Sequence, residues 1–243
     1  MNIIITGTSR GVGFETANYL ARKIGNNVFA VSRDANGLEL LRRKHIDEKN
    51  EGRLIICVGD IGSDEYVMEL KRIILSEVNS VQIIINNAGL LINKSFEELG
   101  IEDWKSIYEA NVISPVRLIK NLLSLLKASR EKMSPRFNAH IVNIGSIGGI
   151  QGTQKFRGLS AYSTSKGAMG VMTECLAEEF SDDQIAVNCL ALGSVETEMF
   201  AKAFPGYQAS QKPEVIGKYI GDFAVDGPNF YNGKTLPISF STL

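Results

Sequence analysis

Seven apolar runs, near residues 2–6, 27–32, 53–58, 81–86, 139–145, 185–191 and 234–238, alternate with stretches patterned as helices. Strands that alternate with helices form a parallel sheet, and right-handed crossovers place the helices on both of its faces. A ligand then lies across the carboxyl ends of the strands, where the strand order reverses. With 243 residues, 44% of them hydrophobic, the chain suits one large α/β domain, and no repeat, low-complexity segment or linker divides it. The formal charge of −1 lacks the basic footprint of a nucleic-acid or anionic-membrane binder. No apolar stretch is long enough to span a bilayer, and Met1 leads directly into a core strand with no basic leader or signal segment. Cys57, Cys175 and Cys189 are odd in number and have apolar neighbours, so they are expected to be buried thiols in a reducing cytoplasm. His45 and His140 have no companions at zinc-like spacing, which predicts a surface and a core histidine and no metal site.

The first run breaks into a glycine loop, Thr6-Gly7-Thr8-Ser9-Arg10-Gly11-Val12-Gly13, followed by a helical pattern from Phe14 to Ile24. Glycines at 7, 11 and 13 permit a tight turn and close backbone approach, and a helix start offers unpaired N–H groups and a positive dipole to a pyrophosphate. The plainer reading is an ordinary glycine-rich turn, and the spacing differs from the Gly-x-Gly-x-x-Gly of most dinucleotide sites.

Tyr162 and Lys166 are four residues apart, so on a helix the phenol and the ammonium share a face. Moving a tyrosine from pH ~10 to about 7 takes roughly 4 kcal/mol, which a cation about 4 Å away supplies at an effective dielectric near 20. Such pairs also arise by chance on amphipathic helices.

Taken in order, Thr6-Gly7 to Gly13, Asp60-Ile61, Asn86-Asn87-Ala88-Gly89, Asn111, Ser146, Tyr162-Lys166, Gly193 and Thr197 resemble the motifs of the short-chain dehydrogenase/reductase family over almost the whole chain. The resemblance implies a single Rossmann domain over 1–243, doubly wound, with a mostly parallel seven-stranded sheet. It implies that Ser146 hydrogen-bonds the substrate oxygen and Tyr162 transfers the proton. Lys166 would hold the nicotinamide ribose and lower the Tyr162 pKa. Gly7, Ser9, Arg10, Gly11, Val12 and Gly13 would cradle the cofactor phosphates. Asp60 and Ile61 would meet the adenine end, while Asn87, Ala88 and Gly89 would line the cofactor. Gly193, Val195 and Thr197 would meet the nicotinamide end. Each has a plainer reading as well, Asp60 as a turn carboxylate and the asparagine run as a turn.

The cofactor expected is NADP(H). A carboxylate after the second strand would pair with a ribose 2′-hydroxyl and repel a 2′-phosphate, but position 32 is Ser, followed by Arg33, and Arg10 adds a second cation. The alternative leaves Arg33 solvated and gives Asp34 the role of a helix cap.

Pro115 stands four residues after Asn111 inside a helical pattern, so it cannot donate to the Asn111 carbonyl, and a local bend is expected. In the family this carbonyl holds a water that links the lysine to solvent, which would place Asn111 in a proton relay. The sequence departs from the family in three places. Gln151–Gly158 lengthens the Ser-to-Tyr interval and is expected to bulge outward. Leu192 replaces a turn proline, which predicts that cofactor binding survives with a looser or altered nicotinamide end. Lys234-Thr-Leu-Pro-Ile-Ser lacks the acidic, glycine-rich finish.

The resemblance therefore implies reduction of a ketone or aldehyde, with 3-oxoacyl compounds among the candidates, or the reverse oxidation of an alcohol. A non-catalytic NADP(H)-binding sensor or scaffold is the alternative. The small-molecule pocket is expected from 90–93, 147–156 and a lid over 196–213. The basic cluster Lys127, Arg130, Lys132 and Arg136 suits either an acyl-carrier protein or a solvated helix end. Homodimers or homotetramers pairing helices near 101–130 and 161–180 are implied by the resemblance, and the Val171, Met172, Cys175, Leu176 stripe is compatible with that or with a core face.

Overall fold

The computed structural model describes residues 1–240. Seven strands, β1 (Asn2–Thr6), β2 (Asn27–Ser32), β3 (Arg53–Val58), β4 (Ile83–Asn86), β5 (Ala139–Ser146), β6 (Ile185–Leu192) and β7 (Thr235–Ile238), form one sheet in the order β3-β2-β1-β4-β5-β6-β7. Every pairing is parallel. The order reverses between β1 and β4, so the carboxyl ends there open a crevice. Among the described residues there are eight α-helices: α1 (Gly11–Leu20), α2 (Ala35–Asp47), α3 (Asp64–Glu77), α4 (Ile101–Tyr108), α5 (Ser114–Lys127), α6 (Ser160–Glu179), α7 (Glu198–Ala203) and α8 (Pro213–Asp226).

Strand alternation divides the core in two. Ile4, Phe29, Val31 and Val187 face Val67, Leu70, Ile74, Leu118 and Leu122 of α3 and α5. Ile3, Ile5, Val28 and Ala30 face Ala17, Leu20, Leu38, Ile216 and Ile220 of α1, α2 and α8. Each large, fully buried aliphatic side chain contributes roughly 1.5–3 kcal/mol. β7 is an edge strand, which accommodates Pro237 without loss of a ladder bond on its open side.

His140, fully buried on β5, fits the expected core histidine. Its Nδ1 lies 2.9 Å from the Ala224 carbonyl and its Nε2 lies 3.0 Å from the Asn188 side-chain nitrogen, so the neutral Nδ1–H tautomer satisfies both contacts.

Three expectations change. The first helix spans Gly11–Leu20 rather than 14–24, because Asn26 Nδ2 donates to the Leu20 carbonyl at 2.9 Å and Gly25 turns the chain at φ +81°. The fourth strand starts at Ile83, since the Val81 N–H is taken by the Leu125 carbonyl at the end of α5. Cys57 and Cys189 are buried, but Cys175 is exposed. It lies one turn beyond exposed Val171, on the α6 face opposite buried Lys166, Thr173 and Ala177. Among the described residues no helix is long and apolar enough to cross a membrane, and no cluster of three or more His, Cys, Asp or Glu side chains could hold a metal.

Candidate active site

A cleft of about 1580 Å³ runs along the carboxyl edge of the sheet. Of the residues singled out in the sequence, Gly7, Ser9, Arg10, Gly11, Val12, Gly13, Arg33, Asp60, Ile61, Asn87, Ala88, Gly89, Ser146, Tyr162, Lys166, Gly193, Val195 and Thr197 all line it. Asn111 lies behind the wall, fully buried.

The glycine loop is packed main chain on main chain. A Cβ on Gly13 would sit 2.3 Å from both the Gly7 carbonyl oxygen and the Asn87 side-chain nitrogen, and one on Gly7 would sit 2.8 Å from the Ala88 Cα. Gly7 also holds φ +72°, which favours glycine. Thr6 ties the loop to its neighbour strand: its hydroxyl accepts from the Asn87 N–H at 3.1 Å and the Ala88 N–H at 3.0 Å. Asn87 Nδ2 in turn donates to the carbonyls of Thr6 and Gly7. No acidic residue lies in the first turn of α1, so its N-terminal dipole meets the cleft uncompensated. A cradle that any side chain would fill, opening on a helix N-terminus, fits a dinucleotide pyrophosphate.

Beyond the loop, Arg33 pairs with Asp60 at 3.5 Å, and Arg10 pairs with Glu198 at the start of α7 at 3.2 Å. Asp34 caps α2, accepting from the N–H groups of Asn36 and Gly37. Asp60 also accepts from the Gly62 N–H at 2.9 Å, the turn role that its position allows.

Tyr162 and Lys166 occupy consecutive turns of α6, and Ser146 ends β5 beside them. The Ser146 hydroxyl accepts from the Gly148 N–H at 3.2 Å. The expected lowering of the phenol by the lysine is not what the geometry gives. Lys166 Nζ donates to the Ile144 carbonyl at 2.7 Å and stands 5.8 Å from the centre of the Tyr162 ring. Burial pushes the phenol up to about 12, against a smaller opposite pull from the Ser146 hydroxyl. Burial also brings the ammonium down to about 8. Ile144 is a contact that sequence reasoning missed, because a main-chain carbonyl carries no residue-type signal.

Asn111 lies in a π-helical turn, Glu109–Ile113, that joins α4 to α5. The Ser114 N–H reaches back five residues to the Glu109 carbonyl, and Pro115 falls in the first turn of α5, where its missing N–H costs little. The expected bend is thus absorbed as a widened turn. The Asn111 amide clamps the cleft wall: Oδ1 accepts from the Leu90 N–H at 2.7 Å, while Nδ2 donates to the Leu90 carbonyl and to Ser165 Oγ on α6.

The end of the cleft beside α7 is closed by side chains. Phe204, just after α7, meets Phe156, Phe200 and Tyr207 at ring separations of 5.5, 5.1 and 6.3 Å. The 151–158 segment therefore does not simply bulge outward, because Phe156 turns back onto the lid and lines the cleft. Asn93 Nδ2 donates to the Ala203 carbonyl at 2.6 Å. A one-residue bridge between Val195 and Gln211 ties the base of the lid. Nor is the turn at Leu192 loose. Leu192 is in register with Ser146 of β5 on one side and Ile238 of β7 on the other, and the Gly193 N–H donates to the Ile238 carbonyl at 2.9 Å.

The basic cluster lies elsewhere. α5 ends where the chain turns into the amino end of β5, so Lys127 and the residues after it sit at the sheet edge opposite the cleft. Lys127 pairs with Asp183 at 2.7 Å, and the Arg130 guanidinium donates to the Lys127 and Ser129 carbonyls, as a helix-end cation does.

A parallel doubly wound sheet with a glycine cradle at its switch point defines a dinucleotide-binding α/β protein of Rossmann type. Residues 1–208 match the short chain dehydrogenase family, and the chain belongs to it. It is 28% identical over 247 residues to the 3-oxoacyl-[acyl-carrier-protein] reductase FabG of Pseudomonas aeruginosa, covering 97% of this chain and 94% of that one. The corresponding Escherichia coli reductase is 30% identical over 246 residues, with the same coverage. A short chain dehydrogenase of Shigella flexneri solved in complex with NADP superposes with a TM-score of 0.83 at 27% identity, covering 97% of this chain and 95% of that one.

Proposed function

We propose that the protein is an NADP(H)-dependent oxidoreductase that interconverts a ketone or aldehyde with the corresponding alcohol. The observation that carries this reading is the convergence of Ser146, Tyr162 and Lys166 on the same cleft as the Gly7–Gly13 cradle. The cradle would hold the pyrophosphate. Asp60 and Ile61 would meet the adenine, Arg10 and Arg33 a ribose 2′-phosphate, and Lys166 the nicotinamide ribose. Asn87, Ala88 and Gly89 would line the cofactor up to Gly193, Val195 and Thr197 at the nicotinamide. Bound NADPH supplies the hydride.

The protein supplies the proton and the electrostatics. Ser146 Oγ and the Tyr162 hydroxyl donate hydrogen bonds to the substrate oxygen and stabilise the charge that develops there. Tyr162 gives its proton to that oxygen. With its phenol held near 12, Tyr162 is fully protonated at neutral pH, which suits the reducing direction. Lys166 returns the proton, with the Asn111 main chain at the outer end of the relay. The reading is tested by following loss of NADPH absorbance with a panel of aryl and alkyl ketones and aldehydes. Tyr162→Phe should lower kcat about a thousandfold, within the range for loss of a general acid, and unchanged kcat would defeat the assignment.

A further inference from the structure

We infer that Arg157 recognises a carboxylate on the substrate, so that the preferred substrates are carbonyl compounds with an apolar body and a carboxylate remote from the reacting carbonyl. The inference rests on the carbonyl-reduction reading above. Four cations line the cleft: Arg10, Arg33, Arg157 and Lys166. Arg10 is paired with Glu198, Arg33 with Asp60, and Lys166 donates to the Ile144 carbonyl. Among the described residues Arg157 has no hydrogen bond, ion pair or ring contact, although its neighbours Lys155 and Lys94 are both engaged, Lys155 with Thr153 and the Ile150 carbonyl and Lys94 with Asp103.

The residues on either side of exposed Arg157 are anchored, Phe156 through its ring and Gly158 through its main chain. Phe156 is seated edge-on against Phe204 of the lid. Gly158 holds φ +83°, its carbonyl accepts from the Lys94 N–H at 3.2 Å, and a Cβ there would meet Asn93 Oδ1 at 1.9 Å. A solvated loop arginine requires neither anchor. Here the pair of anchors holds a free guanidinium at the rim of an aromatic pocket, five residues before Tyr162 in the chain. A planar guanidinium matches a carboxylate through two parallel N–H donors. A single planar fork whose neighbouring cations Lys155 and Lys94 are both engaged suits a monoanion better than a phosphate dianion. The aromatic rings Phe156, Phe200, Phe204 and Tyr207 suit an aryl or alkyl body between the two polar ends.

The test compares 4-oxo-4-phenylbutanoate with its methyl ester, using NADPH, for the parent, Arg157→Gln and Arg157→Lys. The parent should favour the acid over the ester in kcat/KM by about tenfold, chiefly through KM, as a charge-assisted pair exposed at a rim provides. Arg157→Gln should bring that ratio to about one, and Arg157→Lys should hold it between the two, since lysine keeps the charge but not the fork. An acid-to-ester ratio that is the same in the parent and Arg157→Gln overturns the inference. If neither ketone is reduced, turnover gives no ratio to compare, and the oxidoreductase reading stands or falls with the wider carbonyl panel and Tyr162→Phe. Calorimetric titration of the same acid, with and without NADP⁺, then judges Arg157 separately: tighter binding to the parent than to Arg157→Gln supports the site, and equal or absent binding sinks it.

Discussion

At the cofactor end of the cleft the wall is main chain against main chain, with Gly7, Gly13 and Ala88 so close that no side chain fits between them. At the substrate end it is side chain against side chain, with Phe156, Phe200, Phe204 and Tyr207 meeting through their rings. Backbone contacts tolerate no substitution and so fix one ligand geometry, whereas ring contacts can be exchanged for others of similar volume. One end of this cleft is therefore built to hold an unvarying molecule, and the other to be retuned.

The largest effect that would break this contrast is expected at Gly13. Gly13→Ala forces a methyl group against the Gly7 carbonyl and should weaken NADPH binding by more than about a hundredfold, roughly 3 kcal/mol, measured by fluorescence titration. Binding within about twofold of the parent would show that the cradle gives way.

Acid stability, set at a distance by His140, is a control of similar size. Burial brings this ring down to about 4, the Ala224 carbonyl opposing weakly, so the native state keeps it neutral where the unfolded chain takes up a proton. Stability is complete above about pH 6.5 and should fall by on the order of 3 kcal/mol as the pH drops to about 4. Denaturant melts of the parent and His140→Asn across this interval should differ in slope. Equal slopes would place the acid sensitivity elsewhere.

The smallest effect is expected at the lid. Phe204→Ala should raise KM for an aryl ketone about tenfold while leaving NADPH affinity within about twofold, because the ring packs against Phe156 and Phe200 and not on the cradle. A comparable loss of NADPH affinity would mean that the two ends are not independent.

The same difference explains what the sequence can reveal. Strands buried on both faces must be largely apolar, so the five central strands are legible as runs, while the edge strands β3 and β7 are legible from their own short apolar runs although they are partly exposed; the glycine loop is legible because main-chain crowding leaves glycine as the only residue that fits. Contacts that depend on which way a side chain turns are not. Phe156 stays partly in solvent, and the sequence does not show that its ring meets Phe204 edge-on. Cys175 has apolar neighbours in sequence, yet the helical period places it outside. The direction of the Tyr162 shift escapes the sequence because spacing shows that an ammonium is near, not that a carbonyl at Ile144 already holds it. Pro115 signals a disturbed helix, but the choice between a kink and a widened turn depends on packing that the sequence does not display.

That widened turn makes the clamp at Asn111 sensitive to residue count as well as residue type. Removing residue 109, 110, 112 or 113 would let α4 and α5 merge into a regular helix and would rotate the residues before the deletion by about 100° relative to those after it. The Asn111 amide would then lose either Leu90 or Ser165, and with it the strut joining the cleft wall to the helix that carries Tyr162 and Lys166. A single surplus amino acid in one helical turn thus sets how Tyr162 and Lys166 stand against the cleft wall.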